Sequence, residues 1–143
     1  MVKMIRQIKE TALKMYAKRF CNTVKREQPK FINTSKEPTI KFYTQKCFAD
    51  INDFKDYNAN IFEVENEGVL IDGFFSKKDT TIEIYNVLNE DLTELKRTIR
   101  HECLHFLLYE SGQPWSDTDK LFIVLSIAYD ARPYGLFNMT KGE

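Results

Sequence analysis

The sequence predicts an α+β domain in which a long first helix precedes a small sheet and two packed helices follow it. Three observations predict this class. Residues 1–27 contain no Pro or Gly and repeat apolar side chains at helical spacing, the period changes to two over residues 39–85, and helical periodicity returns after residue 89. With 143 residues and 43% apolar content, the chain has the size of one domain, residues 1–143.

The first helix is predicted to end near Gln28 and Pro29. Its buried stripe is expected to consist of the apolar side chains at helical spacing, which are Ile5, Ile8, Ala12, Tyr16 and Phe20. Residues 1–30 carry nine Lys or Arg and two Glu, a net charge of +7, although the whole chain has 21 basic and 21 acidic residues. The solvated face of an amphipathic helix explains this charge, and a surface for nucleic acid or an acidic partner is the alternative.

The sheet is predicted from four stretches rich in β-forming residues, which are Thr39–Phe48, Asn60–Glu65, Gly68–Phe75 and Asp79–Tyr85. A hairpin turn at Asn66–Gly68 would join the second stretch to the third, because Gly tolerates a positive φ there. Residues 50–60 are polar and predict a loop or a short helix. The sheet is therefore expected to be small and antiparallel or mixed.

Two helices are predicted after the sheet. The first spans Asn89–Glu110 and ends at Ser111 and the glycine that follows. Because it is apolar nearly all round, it should be the central, buried helix. The second should start from a cap at Ser116 or Asp117 and run to about Arg132, before a proline.

The composition points to a cytoplasmic protein that does not enter a membrane. No apolar run approaches the roughly 20 residues that a spanning helix needs, and the N-terminus has no uninterrupted apolar core before a cleavage site. The three cysteines, Cys21, Cys47 and Cys103, are an odd number without paired spacing, which is typical of reduced thiols.

The predicted central helix contains an HExxH motif, from His101 to His105. Two histidines four residues apart share one helix face, so their imidazoles can converge on one metal ion at about 2.0–2.1 Å. They are the only two histidines of the chain. Glu102 lies about 100° around the helix from His101, beside the ion, where the general base for a metal-bound water belongs. The motif therefore predicts a Zn²⁺ site with Glu102 as the catalytic residue.

A catalytic zinc site needs a third protein ligand, and with no third histidine it must be a carboxylate. The candidates, in order of preference, are Asp119, Asp117 and Asp130. If the last helix begins at Asp117, Asp119 lies on its inward stripe and Asp117 serves as the N-cap. The alternative for Asp119 is a capping-box carboxylate that pairs with Ser116. The predicted metal ligands are His101, His105 and Asp119.

Residues 73–108, GFFSKKDTTIEIYNVLNEDLTELKRTIRHECLHFLL, resemble the core of small gluzincin-like zinc peptidases. ImmA/IrrE-type peptidases, common on mobile elements, and SprT-like proteases share this plan of a strand, a short gap and a TxxHExxH helix followed by leucines. The resemblance implies a zincin-like fold and a zinc metalloendopeptidase that acts on a protein or peptide. ImmA/IrrE-type peptidases use a Glu and SprT-like proteins a His as third ligand, whereas this chain offers only Asp at a plausible distance.

The mechanism implied by the resemblance agrees with the chemistry of the motif. Zn²⁺ would lower the pKa of a bound water toward about 7, and Glu102 would take its proton and pass it to the leaving amine. The strand at Thr80–Tyr85 is expected to be the cleft edge that pairs with an extended peptide. Tyr129 and Tyr134 are candidate oxyanion donors, although packing is the commoner role of such residues.

Two other functions remain open at this point. One is a zincin-fold binding module with a structural or vestigial metal. The other is a protein that binds nucleic acid or a partner through the basic N-terminal helix. The sequence does not give the oligomeric state.

Overall fold

The computed structural model of the chain describes residues 2–49 and 69–131. The elements of these two ranges, in chain order, are α1 (Val2–Glu27), β1 (Thr39–Phe42), β2 (Cys47–Ala49), β3 (Val69–Ile71), β4 (Gly73–Ser76), β5 (Thr81–Ile84), α2 (Leu92–Glu110) and α3 (Lys120–Ala128). The predicted α+β class is confirmed. None of these helices combines the length and the apolar character needed to cross a membrane.

The described strands form a mixed three-stranded sheet and a separate pair. In the sheet the order is β1-β5-β4, with β1 parallel and β4 antiparallel to β5, while β2 pairs with β3. The predicted strand Thr39–Phe48 is interrupted because its first part pairs with β5 and its second part with β3. The predicted strand Gly68–Phe75 is likewise divided at Asp72. The predicted strand Asn60–Glu65 and the turn at Asn66–Gly68 lie outside the described residues.

The position of β5 corrects the predicted cleft edge. This strand pairs with a neighbour on each side, so its backbone has no row of groups left for a peptide. Within the described ranges, the strands at the sides of the sheet are β1 and β4. β4 lies close to α2, because a Cβ built on Gly73 would come within 2.7 Å of Thr98 Cγ2. The edge beside the HExxH helix is therefore β4.

Helix α1 buries only part of the predicted stripe. Phe20 is buried and Tyr16 is half-buried against the core, whereas Ile5 and Ile8 are 55% and 65% exposed and Ala12 is exposed as well. The buried side chains of α1 are Leu13, Ala17, Phe20, Cys21 and Val24. Their face is rotated by about 100° from the predicted stripe and shares Phe20 with it. It faces α2, where the Cys21 thiol contacts Cys103.

Helix α2 is the central helix of the described residues, as predicted. Every side chain from His101 to Leu108 is buried. Its N-cap is Asp91, two residues after Asn89, where the predicted helix begins. The Asp91 carboxylate accepts a hydrogen bond from the Thr93 amide. The predicted end at Ser111 is confirmed.

Helix α3 is shorter than predicted at both ends. Its N-cap is Asp119 and its C-cap is Tyr129. The later start arises because the chain first makes a turn in which the Asp119 amide donates to the Ser116 carbonyl. This turn decides which carboxylate reaches α2.

Candidate metal centre

Helix α2 places the two histidines of the motif side by side. One helical turn separates them, and their Nε2 atoms lie 3.2 Å apart. Both side chains are almost fully buried, with 3% and 8% of their surfaces exposed. The predicted convergence of His101 and His105 is therefore present.

The third side chain in contact with these nitrogens is Asp117. Its Oδ1 atom lies 3.1 Å from Nε2 of His101 and 3.0 Å from Nε2 of His105. Asp117 belongs to the connection between α2 and α3, which folds back over the motif. Its side chain is 22% exposed, so the cluster reaches solvent on this side.

Asp119 makes the contact with Ser116 that the sequence analysis gave as its alternative role. Its Oδ2 atom accepts hydrogen bonds from the amide and the hydroxyl of Ser116, both at 2.8 Å. The preferred prediction, Asp119 against the histidines and Asp117 as the cap, is reversed, because α3 starts at Lys120 and not at Asp117. The remaining candidate, Asp130, pairs with arginines of α2.

Backbone carbonyls fix the orientation of both imidazoles. Nδ1 of His101 lies 2.9 Å from the carbonyl oxygen of Ala131, and Nδ1 of His105 lies 2.5 Å from that of Trp115. A carbonyl oxygen can only accept, so each Nδ1 carries a proton. In the neutral rings the Nε2 atoms then present lone pairs toward Asp117.

Three electron-pair donors therefore converge within 3.2 Å of one another, two imidazole nitrogens and a carboxylate oxygen. Such atoms repel one another unless a cation, either a proton or a metal ion, lies among them. In a tetrahedral zinc site with bonds of about 2.0–2.1 Å, neighbouring ligand atoms are about 3.3 Å apart. The observed spacings of 3.0–3.2 Å fit that donor set.

Glu102 lies beside the two imidazoles. A carboxylate oxygen of Glu102 and one ring nitrogen from each histidine all lie within 4.8 Å of one another. The side chain is buried, and burial raises the pKa of Glu102 to about 7. Positive charge on His101 opposes this rise in the pKa of Glu102, and negative charge on Asp117 and Asp72 contributes to it.

The pKa of Asp117 moves in the other direction. Burial alone would raise it, but His101 and His105, when a proton lies on Nε2, donate hydrogen bonds and positive charge that together hold the pKa of Asp117 well below its usual range. Two carboxyl groups of one cluster thus differ in their affinity for a proton. Asp117 stays ionised against the imidazoles, and Glu102 can accept and release a proton near neutral pH.

An aromatic ring from α3 packs against both imidazoles. Phe122 stacks on His105 with centroids 4.0 Å apart and meets the His101 ring edge-on at 5.0 Å. It is fully buried. The sequence analysis did not predict Phe122 or the two carbonyl acceptors. A backbone carbonyl is present in every residue, so its role cannot be inferred from residue type, and Phe122 has the pattern of an ordinary core residue.

Tyr129, one of the two candidate oxyanion donors, makes its contacts away from this cluster. The Tyr129 hydroxyl donates to Glu27 and accepts a hydrogen bond from Gln28, both at the C-terminal end of α1. Its ring packs edge-on against Phe20. Tyr129 is thus a packing residue, and Tyr134 lies outside the described residues.

The site is therefore a buried cluster of His101, Glu102 and His105 that Asp117 closes from the connection after α2. No protein-family model, curated protein or solved structure matches the chain.

Proposed function

We propose that the protein is a zinc-dependent metallopeptidase of zincin type. His101, His105 and Asp117 are its metal ligands, and Glu102 is its general base. The observation that carries this proposal is the convergence of three electron-pair donors within 3.2 Å of one another, next to a buried carboxyl group.

The donor set favours zinc over Mg²⁺ and Ca²⁺. Two imidazoles and one carboxylate are a frequent ligand set of catalytic zinc, whereas Mg²⁺ and Ca²⁺ prefer oxygen ligands throughout. Three protein ligands leave a fourth coordination position, which distinguishes a catalytic site from a closed structural one. The partial exposure of Asp117 supports access from solvent.

The chemistry follows from the difference between the two carboxyl groups. A zinc ion held by these ligands would act as a Lewis acid that makes water acidic near neutral pH. Glu102 lies beside the two imidazoles, where its carboxylate would accept a proton from the attacking water. The same group can then return the proton to the leaving amine. Asp117 keeps its negative charge throughout and serves as a ligand.

A peptide is the substrate that the sheet geometry favours. A Cβ on Gly73 would lie 3.1 Å from Glu102 Cγ, so β4 passes directly beside the proposed base. Among the described strands, β4 pairs only with β5. An extended peptide that added to β4 would run past Glu102 and present its carbonyl groups there.

The test compares two glutamates of α2 that carry the same substitution. Glu102→Gln should keep the zinc content of the wild type and lower hydrolysis of a fluorogenic peptide library at least about 100-fold, the scale of a lost general base. Glu110→Gln is the matched control, because the Glu110 carboxylate pairs with Lys36 and is not part of the histidine cluster, and it should leave both quantities unchanged.

Two outcomes would contradict the proposal. Equal hydrolysis by the wild type and Glu102→Gln would exclude Glu102 as the base. A wild-type protein that holds zinc tightly and cleaves no peptide of the library would instead support a binding module with a structural metal.

A further inference from the structure

The residues that follow α3, as far as Ala131, turn back toward the proposed metal centre at a tight helix end. The Ala131 amide donates to the Ser126 carbonyl at 2.7 Å, and the Asp130 amide donates to the Ile127 carbonyl at 3.3 Å. These two bonds form a Schellman motif, in which the first residue beyond the cap adopts the left-handed conformation. That residue is Asp130, with a φ of 54°. Gly is usual at this position, so an Asp there needs support from its surroundings.

Arg100 supplies this support through the backbone. Its Nε and Nη2 atoms both donate to the Asp130 carbonyl oxygen, at 3.0 and 2.8 Å. Its remaining nitrogen, Nη1, donates to the Tyr16 hydroxyl of α1 at 2.6 Å. The Arg100 side chain is 15% exposed. The guanidinium thus contacts α1 on one side, and on the other it donates two hydrogen bonds to the Asp130 carbonyl.

The next carbonyl along the chain is the one that orients a proposed metal ligand. Ala131 O accepts the Nδ1 proton of His101. Arg100 and His101 are neighbours on α2, and they bind the carbonyls of two successive residues, Asp130 and Ala131. The position of the Ala131 carbonyl depends on the φ and ψ angles of the backbone before it. The contact between Arg100 and the Asp130 carbonyl restrains these angles.

We propose that Arg100 is a positioning residue of the metal centre, which fixes the Nδ1–H tautomer of His101 through the Asp130–Ala131 backbone. This inference rests on the proposed metal site. Hydrogen bonds of this kind to metal-binding histidines typically change metal affinity about 10–100-fold when they are lost.

A simple surface ion pair does not account for Arg100. Its contact with the Asp130 carboxylate is 3.4 Å long, and that carboxylate is 68% exposed. Exposed ion pairs contribute little to stability. Arg97 contacts the same carboxylate at 3.3 Å and also Glu94. Arg97 is therefore the matched control, because it shares the ion pair with Asp130 but forms none of the carbonyl contacts described for Arg100.

The test substitutes both arginines and measures two quantities. Arg100→Gln should weaken zinc binding about 10–100-fold in competition with a chelator, whereas Arg97→Gln should stay within about 3-fold of the wild type. In the metal-free protein, ¹H–¹⁵N NMR should show that the Nδ1–H proton of His101, which is bonded to the Ala131 carbonyl, exchanges slowly with solvent in the wild type and faster in Arg100→Gln. Asp130→Gly keeps the backbone conformation and the carbonyl, so it should retain the wild-type affinity.

The exchange measurement separates this inference from the proposed function. Wild-type protein that binds no zinc would contradict the metal site, and the NMR measurement would still test Arg100. An unchanged zinc affinity and an unchanged exchange rate of the His101 Nδ1–H in Arg100→Gln would overturn the inference and leave the metal site standing. If Arg100→Gln does not fold, Tyr16→Phe removes only the hydroxyl that holds Nη1, and it should shift both quantities in the same direction by a smaller amount. No shift in Tyr16→Phe would also count against the inference.

Discussion

Asp117 and Asp119 are two residues apart, yet one contacts both histidines and the other contacts Ser116. The HExxH motif could be recognised from residue types and spacing alone, because both follow from helix geometry. The third carboxylate could not, because its role depends on the residue at which α3 begins. The N-cap of α3 lies two residues after the predicted cap at Asp117, and this shift is enough to exchange the contacts of the two aspartates.

Alanine substitutions should separate these two roles. Asp117→Ala removes the carboxylate that contacts both imidazoles, so zinc affinity should fall more than about 100-fold, beyond the range of an outer-shell change. Asp119→Ala removes the hydrogen bonds to Ser116 and should lower the free energy of unfolding by about 1 kcal/mol. Chelator competition and the thermal midpoint of the zinc-free protein measure the two effects. Zinc loss in Asp119→Ala alone would show that the sequence-based preference had been right.

At the scale of the elements, helices were predicted more successfully than strands. α1 and α2 depend on periodicity and breakers within one segment, and their ranges agree with the structure to within three residues. The strands depend on partners distant in sequence, so the change of partner between β1 and β2 left no local signal. The buried face of α1 also depended on a partner, since apolar residues occupy more than one face of α1 and contact with α2 selects those that are buried.

The packing of β4 on α2 leads to a prediction about Gly73. A Cβ at this position would lie 2.7 Å from Thr98 Cγ2 and 3.1 Å from Glu102 Cγ. Gly73→Ala should therefore push the strand away from the helix and destabilise the protein by about 1–3 kcal/mol. Hydrolysis should also fall, because the same contact aligns β4 with Glu102.

Thr98→Ser, which removes the Cγ2 methyl group, should restore part of the stability of Gly73→Ala. Denaturant unfolding of the two single variants and the double variant measures this coupling. Gly112→Ala is the control, because that position has a φ of 72° and no atom within 4 Å of a built Cβ, so it should show strain without coupling to Thr98. Additive effects of Gly73→Ala and Thr98→Ser would contradict the close contact.

At the scale of the molecule, the site is assembled from distant parts of the chain. α2 gives the histidines and the proposed base, the connection after it gives Asp117 and the Trp115 carbonyl, and the turn after α3 gives the Ala131 carbonyl. α1 contributes indirectly, because its Tyr16 hydroxyl accepts a hydrogen bond from Arg100. The sequence could identify only the part of the site that lies within a single helix. The remainder depends on how helices and connections pack, which no local pattern encodes.

The metal content of the purified protein tests the central claim most directly. Elemental analysis should find about one zinc ion per chain in the wild type, and almost none in His101→Ala or His105→Ala, because each variant removes one of the three proposed protein ligands. Circular dichroism of the same samples verifies that the variants fold. Folded variants that keep the full zinc content of the wild type, or a wild type that binds no metal when zinc is supplied, would contradict the proposed site.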